Sequence, residues 1–260
     1  MGTIIEKTAL PIGVFDSGVG GISILRELVR LMPNENYIYL GDSANAPYGT
    51  KTLDQVVELV SNDAEYLYSK GIKALVVACN TATSAGIGLL RKRYTDIPVI
   101  GIEPALKPAV LSAEHPTVLV MATPMTLREE KFRCLMQRFE EKAEIMPLPC
   151  PGLMEFVERG ELQSEALEQY LYNLFAPYEK VDAVVLGCTH YPFVRKMIKK
   201  VLGDGVVLFD GGEGTARETR RQLEERRLLS LSEETGKVIF ENSAKEEKLL
   251  KLCVELLNYE

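Results

Sequence analysis

Two stretches of the chain end alike: Ala74-Leu-Val-Val-Ala-Cys79-Asn80-Thr81 and Ala183-Val-Val-Leu-Gly-Cys188-Thr189-His190. Each is a short apolar run rich in valine that stops at a small residue, a cysteine and a polar pair. A short apolar run bounded in this way reads as a strand buried on both faces of a parallel sheet. In open α/β sheets ligands bind outside the carboxyl ends of the strands, so each run carries a thiol to the edge where ligands sit. Two such thiols, from two halves of one chain, point to a site with sulfur on either side. That arrangement suits chemistry that adds a proton to one face of a carbon and removes one from the other.

Outward from these runs, strand-like and helix-like segments alternate almost throughout. Strands are expected near 11–15, 36–41, 74–79 and 97–102, and a second series near 117–122, 144–148, 182–187 and 206–210. Ile22, Leu25, Val29 and Met32 make one helical stripe; Leu53, Val56, Val57, Val60, Ala64 and Leu67 make another. Residues 245–257 read as a terminal amphipathic helix. The two strand series line up: Asp16 and Thr123 are 107 positions apart, Cys79 and Cys188 are 109 apart, and Glu103 and Asp210 are again 107 apart. A near-constant offset at strand ends predicts an α/β chain of two doubly wound parallel-sheet domains of similar topology, related by a pseudo-two-fold axis, with the active site in the cleft between them. The first domain is expected over 1–103 plus 212–260 and the second over 104–211. The chain would cross near Glu103-Pro104 and again near Gly211-Gly212, and its last helices would return to the first half.

Bulk properties narrow the class. A chain of 260 residues buries a sizeable core without disulfides or metals. The net charge of −7 argues against a nucleic-acid partner. Five cysteines with no Cys-x-x-Cys argue against a disulfide framework and for a reducing, cytoplasmic home. The start, Met1 to Lys7, lacks the pattern of a signal peptide, and Glu6 stands where a myristoylation motif has Ser or Thr. No apolar stretch approaches spanning length, so no membrane partner is expected.

A thiol acts as a base only as thiolate, and free cysteine has a pKa of about 8.5. Cys79 and Cys188 each sit where a helix is expected to begin, and its free N–H groups and positive end would favour the thiolate. Asn80, Thr81, Thr189 and His190 follow them and can hold a carboxylate. Any single cysteine is more often core than catalyst; Cys134 and Cys253 fall under that reading, and Cys150, in a proline-rich turn, stays open. Asp16, Ser17 and the glycines 18, 20 and 21 form a strand-to-helix turn. A dinucleotide fingerprint fails there, because Ser23 stands where the third glycine belongs and Asp16 would face the pyrophosphate. The glycines instead suit a close approach of backbone to a small ligand. Asp16 either caps the helix, pairs with an ammonium or assists a proton transfer. His190 is positioned to stabilise a Cys188 thiolate or to polarise a carboxylate. No metal is expected, since the Cys188 and His190 spacing is not that of a structural zinc site. The loop from Asp42 to Thr50 reads as a lid or substrate wall, or as an ordinary connection.

Phe15-Asp-Ser-Gly-Val-Gly-Gly21, Pro47-Tyr-Gly49, Ala78-Cys-Asn-Thr-Ala82, Glu103-Pro-Ala105, Gly187-Cys-Thr-His-Tyr-Pro192 and Thr215-Ala-Arg217 together resemble the glutamate racemases, over nearly the whole chain. The Cys-Thr-His-Tyr-Pro form resembles this branch rather than the aspartate branch of the superfamily. The resemblance implies cofactor-independent 1,1-proton transfer between L- and D-glutamate, with D-glutamate supplied to peptidoglycan. It implies that Cys79 deprotonates D-glutamate with Asp16 as helper, and that Cys188 deprotonates L-glutamate with His190 as helper. Asp16, Ser17, Pro47, Tyr48, Gly49, Asn80, Thr81, Thr189 and His190 match positions that bind substrate. Thr123 and Glu158 lie in segments that reach the site, Thr123 toward substrate and Glu158 toward catalysis. The expected partners are glutamate and, in a homodimer, a second copy. An aspartate or hydantoin racemase is the rival enzyme; a non-catalytic amino-acid-binding protein on the same two-lobed scaffold is the rival of another class. A dinucleotide enzyme ranks behind both.

Overall fold

The computed structural model describes residues 4–259; Met1, Gly2 and Thr3, on which part of the leader reading rests, and Glu260 lie outside the described residues. Its strands are β1 (Ile12–Asp16), β2 (Tyr37–Gly41), β3 (Ala74–Val77), β4 (Val99–Gly101), β5 (Thr117–Ala122), β6 (Glu144–Pro149), β7 (Ala183–Leu186), β8 (Val207–Asp210) and β9 (Val238–Asn242). They form two sheets, β4-β3-β1-β2-β9 and β6-β5-β7-β8, with every pairing parallel. The fold class is the expected one. Read from its other edge the second sheet runs β8-β7-β5-β6, which repeats β4-β3-β1-β2 strand for strand, so the near-constant offset in sequence is a repeat of topology. In this order the strand sequence reverses between β1 and β3 and again between β5 and β7, the switch points at which open α/β sheets bind ligands.

The first sheet gains a strand that the sequence did not announce. β9 lies parallel to β2, pairing Val238 with Tyr37 and Asn242 with Gly41. Its apolar part is only Val238-Ile239-Phe240, and Ile239 is 54% exposed, so it carries neither the buried run nor the alternation that marks a strand. The strands pass to the second sheet between Gly101 and Thr117 and return between Asp210 and Val238. The terminal helix spans Glu247–Leu257 and buries Leu249, Cys253 and Leu256.

Helix Leu53–Ser69 is opened by a reciprocal cap: Gln55 N donates to Thr52 Oγ1, and Thr52 N donates to Gln55 Oε1. It buries Val56, Val60, Ala64 and Leu67 against the first sheet, but also Asp63. One apolar cluster runs through both sheets, joining Val14 and Val76 to Leu119 and Val184. Each fully buried aliphatic side chain there contributes about 1.5–3 kcal/mol.

One buried ion pair ties this core to the return segment. Lys73, just before β3, has a side chain 1% exposed, with Nζ 2.5 Å from Glu35 Oε2. Its ammonium also donates to the Thr8 carbonyl at 2.6 Å, while Glu35 Oε1 accepts from Ser230 N at 2.7 Å. Burial pulls the Lys73 pKa down, against the pull of Glu35. Glu35→Gln strips the ammonium of its counter-charge and is expected to lower stability in urea unfolding by about 3–5 kcal/mol. The double variant Lys73→Met/Glu35→Leu, which buries no charge, recovers part of that loss.

Candidate active site

The carboxyl ends of β1 and β3 in one sheet and of β5 and β7 in the other face a single small cavity. Ser17, Tyr48, Gly49, Cys79, Asn80 and Thr81 line it from the first half. Thr123, Cys188, Thr189 and His190 line it from the second, together with Gly187 of the same motif and Met154, which the sequence did not single out. The cavity holds about 10 Å³, room for about one water molecule. Both thiols, two residues beyond their strands, therefore border one small space.

Cys79 is the N-cap of helix Asn80–Arg93, as its sequence context predicted. Its sulfur accepts from Ala82 N at 3.4 Å and lies 3.6 Å from Ser17 Oγ. Burial, with the charge of Asp16 behind it, pushes the thiol up to about 12; the Ala82 and Ser17 contacts pull the other way without prevailing. Asn80, at the start of the helix, is buried with both side-chain amide atoms unpartnered. Two orphaned polar atoms on a cavity wall are costly unless a ligand completes them.

Cys188 is not matched by a second α-helix. After it comes a short 3₁₀ turn, Tyr191–Val194, and the α-helix begins only at Arg195. Pro192 stands near the start of this turn, where its lack of an N–H is tolerated. Histidine supplies what the helix does not. His190 Nδ1 lies 3.6 Å from Cys188 Sγ, and His190 Nε2 lies 2.7 Å from Glu158 Oε1. Burial opposes a charge on the imidazole, but its contacts with the Cys188 sulfur and the Glu158 carboxylate outweigh burial and raise its pKa well above the ordinary value. The charged imidazole is thereby favoured beside the second sulfur.

Asp16 is fully buried and does not line the cavity. Its Oδ1 accepts from Gly18 N at 2.9 Å, and its Oδ2 accepts from Thr189 Oγ1 at 2.9 Å. The helix that follows starts at Ile22 with Gly21 as its N-cap, so Asp16 caps the turn and not the helix. Burial raises its pKa, against the His190 charge and both hydrogen bonds. Glu158 also lies behind the wall, reaching the site through His190. Pro47 is half-buried and precedes the lining residues Tyr48 and Gly49.

Further bonds join the halves. Ser23, at the position that defeats a dinucleotide fingerprint, has its hydroxyl 2.8 Å from the Thr189 carbonyl. Glu158 Oε1 accepts from Val19 N at 2.8 Å. Thr81, Thr123 and Thr126 bring three hydroxyls within 3.0–3.2 Å of one another. Two glycines of the turn, Gly18 and Gly20, make room for these contacts. A Cβ on Gly18 would stand 2.0 Å from Glu158 Oε1, and one on Gly20 would stand 2.3 Å from His190 Nδ1. Among the described residues no cluster of three or more His, Cys, Asp and Glu side chains is arranged to hold a metal ion.

Comparison with known proteins places this geometry. A family model described as Asp/Glu/Hydantoin racemase matches residues 12–219. The chain is 51% identical over 254 residues to a glutamate racemase of Clostridium botulinum (strain Alaska E43 / Type E3), covering 97% of this chain and 98% of that protein. Among solved structures it is similar to the glutamate racemase of Francisella tularensis in complex with D-glutamate, with a TM-score of 0.84, 28% identity, and 97% and 95% of the two chains covered. It is also similar to the Escherichia coli glutamate racemase in complex with L-glutamate and the activator UDP-MurNAc-Ala, with a TM-score of 0.84, 31% identity, and coverage of 96% and 94%.

The tight packing at the turn gives a direct test of the His190 environment. In Gly20→Ala the new methyl displaces the imidazole, at an expected cost of about 1–3 kcal/mol. Separated from Glu158 and Cys188, His190 loses the contacts that raise its pKa. Its imidazole titration, followed by NMR, is expected to move down from the wild-type value.

Proposed function

This chain belongs to the Asp/Glu/Hydantoin racemase family, and from that premise we infer that it interconverts L- and D-glutamate by moving one proton on and off the α-carbon between two thiols. The observation that carries this reading is that Cys79 and Cys188, delivered by equivalent strands of two topologically repeated sheets, border one cavity. We take residues 1–103 with 212–260 as one lobe and 104–211 as the other. Asp16, Cys79 and Ser17 act from the first, and Thr123, Glu158, Cys188 and His190 from the second.

The α-proton of an amino acid is very weakly acidic, and with no cofactor to spread the carbanion its charge must be met by fixed dipoles. In one direction a Cys188 thiolate takes the α-proton of L-glutamate and the Cys79 thiol gives its own proton to the opposite face. D-Glutamate leaves behind a Cys79 thiolate and a Cys188 thiol, and the reverse turnover restores the start. The two environments support this division. Cys79, beside the Asp16 carboxyl group, keeps its proton strongly. Cys188, beside the His190 imidazolium held by Glu158, has the cation that a sulfur anion needs. Since each turnover exchanges the two states, the pH range of activity belongs to the coupled pair and not to either thiol. The unpartnered Asn80 amide, Thr81, Thr189 and the Tyr48–Gly49 wall are assigned to the substrate's charged groups. Substrate filling so small a space displaces the water that would quench the carbanion on either face.

The remainder of the proposal is that D-glutamate so made enters peptidoglycan, and that the protein works in the cytoplasm as a homodimer. Among the described residues no helix is long and apolar enough to cross a membrane.

Cys79→Ser and Cys188→Ser are each expected to lower interconversion by about 10²–10⁴-fold, followed by circular dichroism of L- and D-glutamate with metal-free, cofactor-free protein. Each variant retains exchange of the α-proton with D₂O on one enantiomer only, the one whose base remains. Turnover of aspartate or a hydantoin in preference to glutamate, or binding of glutamate with no change in its optical rotation, overturns the assignment.

A further inference from the structure

Tyr48 lines the cavity, yet its hydroxyl is engaged elsewhere. It lies 2.6 Å from Asp42 Oδ2, just beyond β2, and 2.9 Å from Asp63 Oδ2, on helix Leu53–Ser69. A phenol has one proton. If it goes to Asp42 at the shorter distance, the contact with Asp63 would set two acceptors against each other unless the Asp63 carboxyl group brings a proton of its own. The arrangement that satisfies every atom is a chain: Asp63 O–H to the Tyr48 oxygen, Tyr48 O–H to Asp42. Asn45 Nδ2 completes it by donating to Asp42 Oδ1 at 3.0 Å.

Asp63 is only 9% exposed and shares its helix face with Val56, Val60 and Leu67. Burial, followed by the charge of Asp42, raises its pKa to about 7, with Asp16 adding to the rise and the Tyr48 hydrogen bond opposing it. The groups acting on it thus come from the ends of β1 and β2 and from the Tyr48–Thr50 turn, and none of them is a cation. On the far side of the wall, a Cβ on Gly49 would stand 2.9 Å from Thr123 Cβ, so Tyr48 and Gly49 are fixed between the acid pair and the second half of the molecule.

We propose that Asp63 is a positioning residue: its protonated carboxyl group and the Asp42 carboxylate clamp the Tyr48 hydroxyl, and this clamp holds the Tyr48–Gly49 wall against the substrate. This rests on the glutamate racemase reading for its kinetic consequence, but the clamp itself is read independently of activity. Asp63 does not touch substrate; it acts through Tyr48. When Asp63 loses its proton, two carboxylates face one phenol, the clamp opens, and substrate binding weakens while the thiol chemistry is left in place. KM for glutamate therefore rises with pH above about 7, and kcat follows the thiols and His190 instead.

The test uses the full chain, with tyrosine labelled at ¹³Cζ. The Tyr48 resonance, identified by its loss in Tyr48→Phe, is expected to titrate near neutrality in the wild type and to stay flat in Asp63→Asn. In that variant a neutral amide donates to the phenol at every pH. Asp63→Asn keeps KM near the wild-type value at pH 6.5 and abolishes its alkaline rise. Asp63→Ala, which leaves the phenol with one partner, raises KM about tenfold at the same pH with kcat little changed. Asp63→Asn behaving like Asp63→Ala, or an unchanged Tyr48 titration in Asp63→Asn, overturns the proposal. If wild-type protein does not racemise glutamate, the functional reading fails while the NMR titration still decides the clamp.

Discussion

The hydrogen bond from the Thr189 hydroxyl to the buried Asp16 carboxyl group, 2.9 Å long, is the contact on which the site depends. Thr189 follows Cys188 just beyond β7 of the second sheet, and Asp16 ends the central strand of the first. A carboxyl group with no exposed surface must have partners; here one is the adjacent turn and the other is the opposite half of the protein. Ser23 reinforces the same peptide by approaching the Thr189 carbonyl. The position of one sulfur relative to the other is therefore set by bonds to the residue next to Cys188, and not by the long route through either sheet.

The two sulfurs occupy equivalent places in repeated sheets but meet opposite electrostatics. Near Cys79 stands an acid, Asp16; beside Cys188 stands an imidazole whose charge is favoured by Glu158. Equivalent topology brings the thiols to face each other, and unequal charge decides where the proton rests. The asymmetry is built with three side chains, Asp16, His190 and Glu158, and two glycines. Glu158 and His190 pack so closely on the turn Gly18–Gly20 that any side chain at 18 or 20 would collide with them. Gly18 and Gly20 are thus clearances for side chains from the second half, while Gly21 clears Asp16, Tyr39 and Ala78 of the first.

Strands of four to six buried apolar residues announce themselves, which is why β3 and β7, and the thiols beyond them, were legible in the sequence. β9 was not, because an edge strand with an exposed Ile239 needs little hydrophobic pattern once β2 offers it a row of partners. Glu158 was reached only by resemblance, since its role depends on a partner 32 positions away on a different element. The helix expected after Cys188 failed for a local reason, the short turn around Pro192. Asp63 did leave a signal: it lies seven residues beyond Val56 and four before Leu67, on the stripe that faces the sheet. A carboxylate at an apolar position of a helical stripe marks a buried polar contact, here with a residue on the cavity wall.

A cavity of about 10 Å³ holds about one water, and glutamate is many times larger, so the halves must part for substrate to enter. What resists parting is a small set of bonds between them: Asp16 with Thr189, Ser23 with Thr189, Val19 with Glu158, and the three threonine hydroxyls. The neutral ones contribute about 0.5–1.5 kcal/mol net each and the two to carboxyl groups about 1.5–3, so their sum is of the order that a bound dicarboxylate can offset. The apolar cluster shared by both sheets is far larger and persists through such a motion. Division of labour follows from those magnitudes. Hydrophobic burial keeps the two halves one molecule, while a few polar contacts, all within one or two residues of the thiols or the wall, decide when the space between the sulfurs is sealed from water.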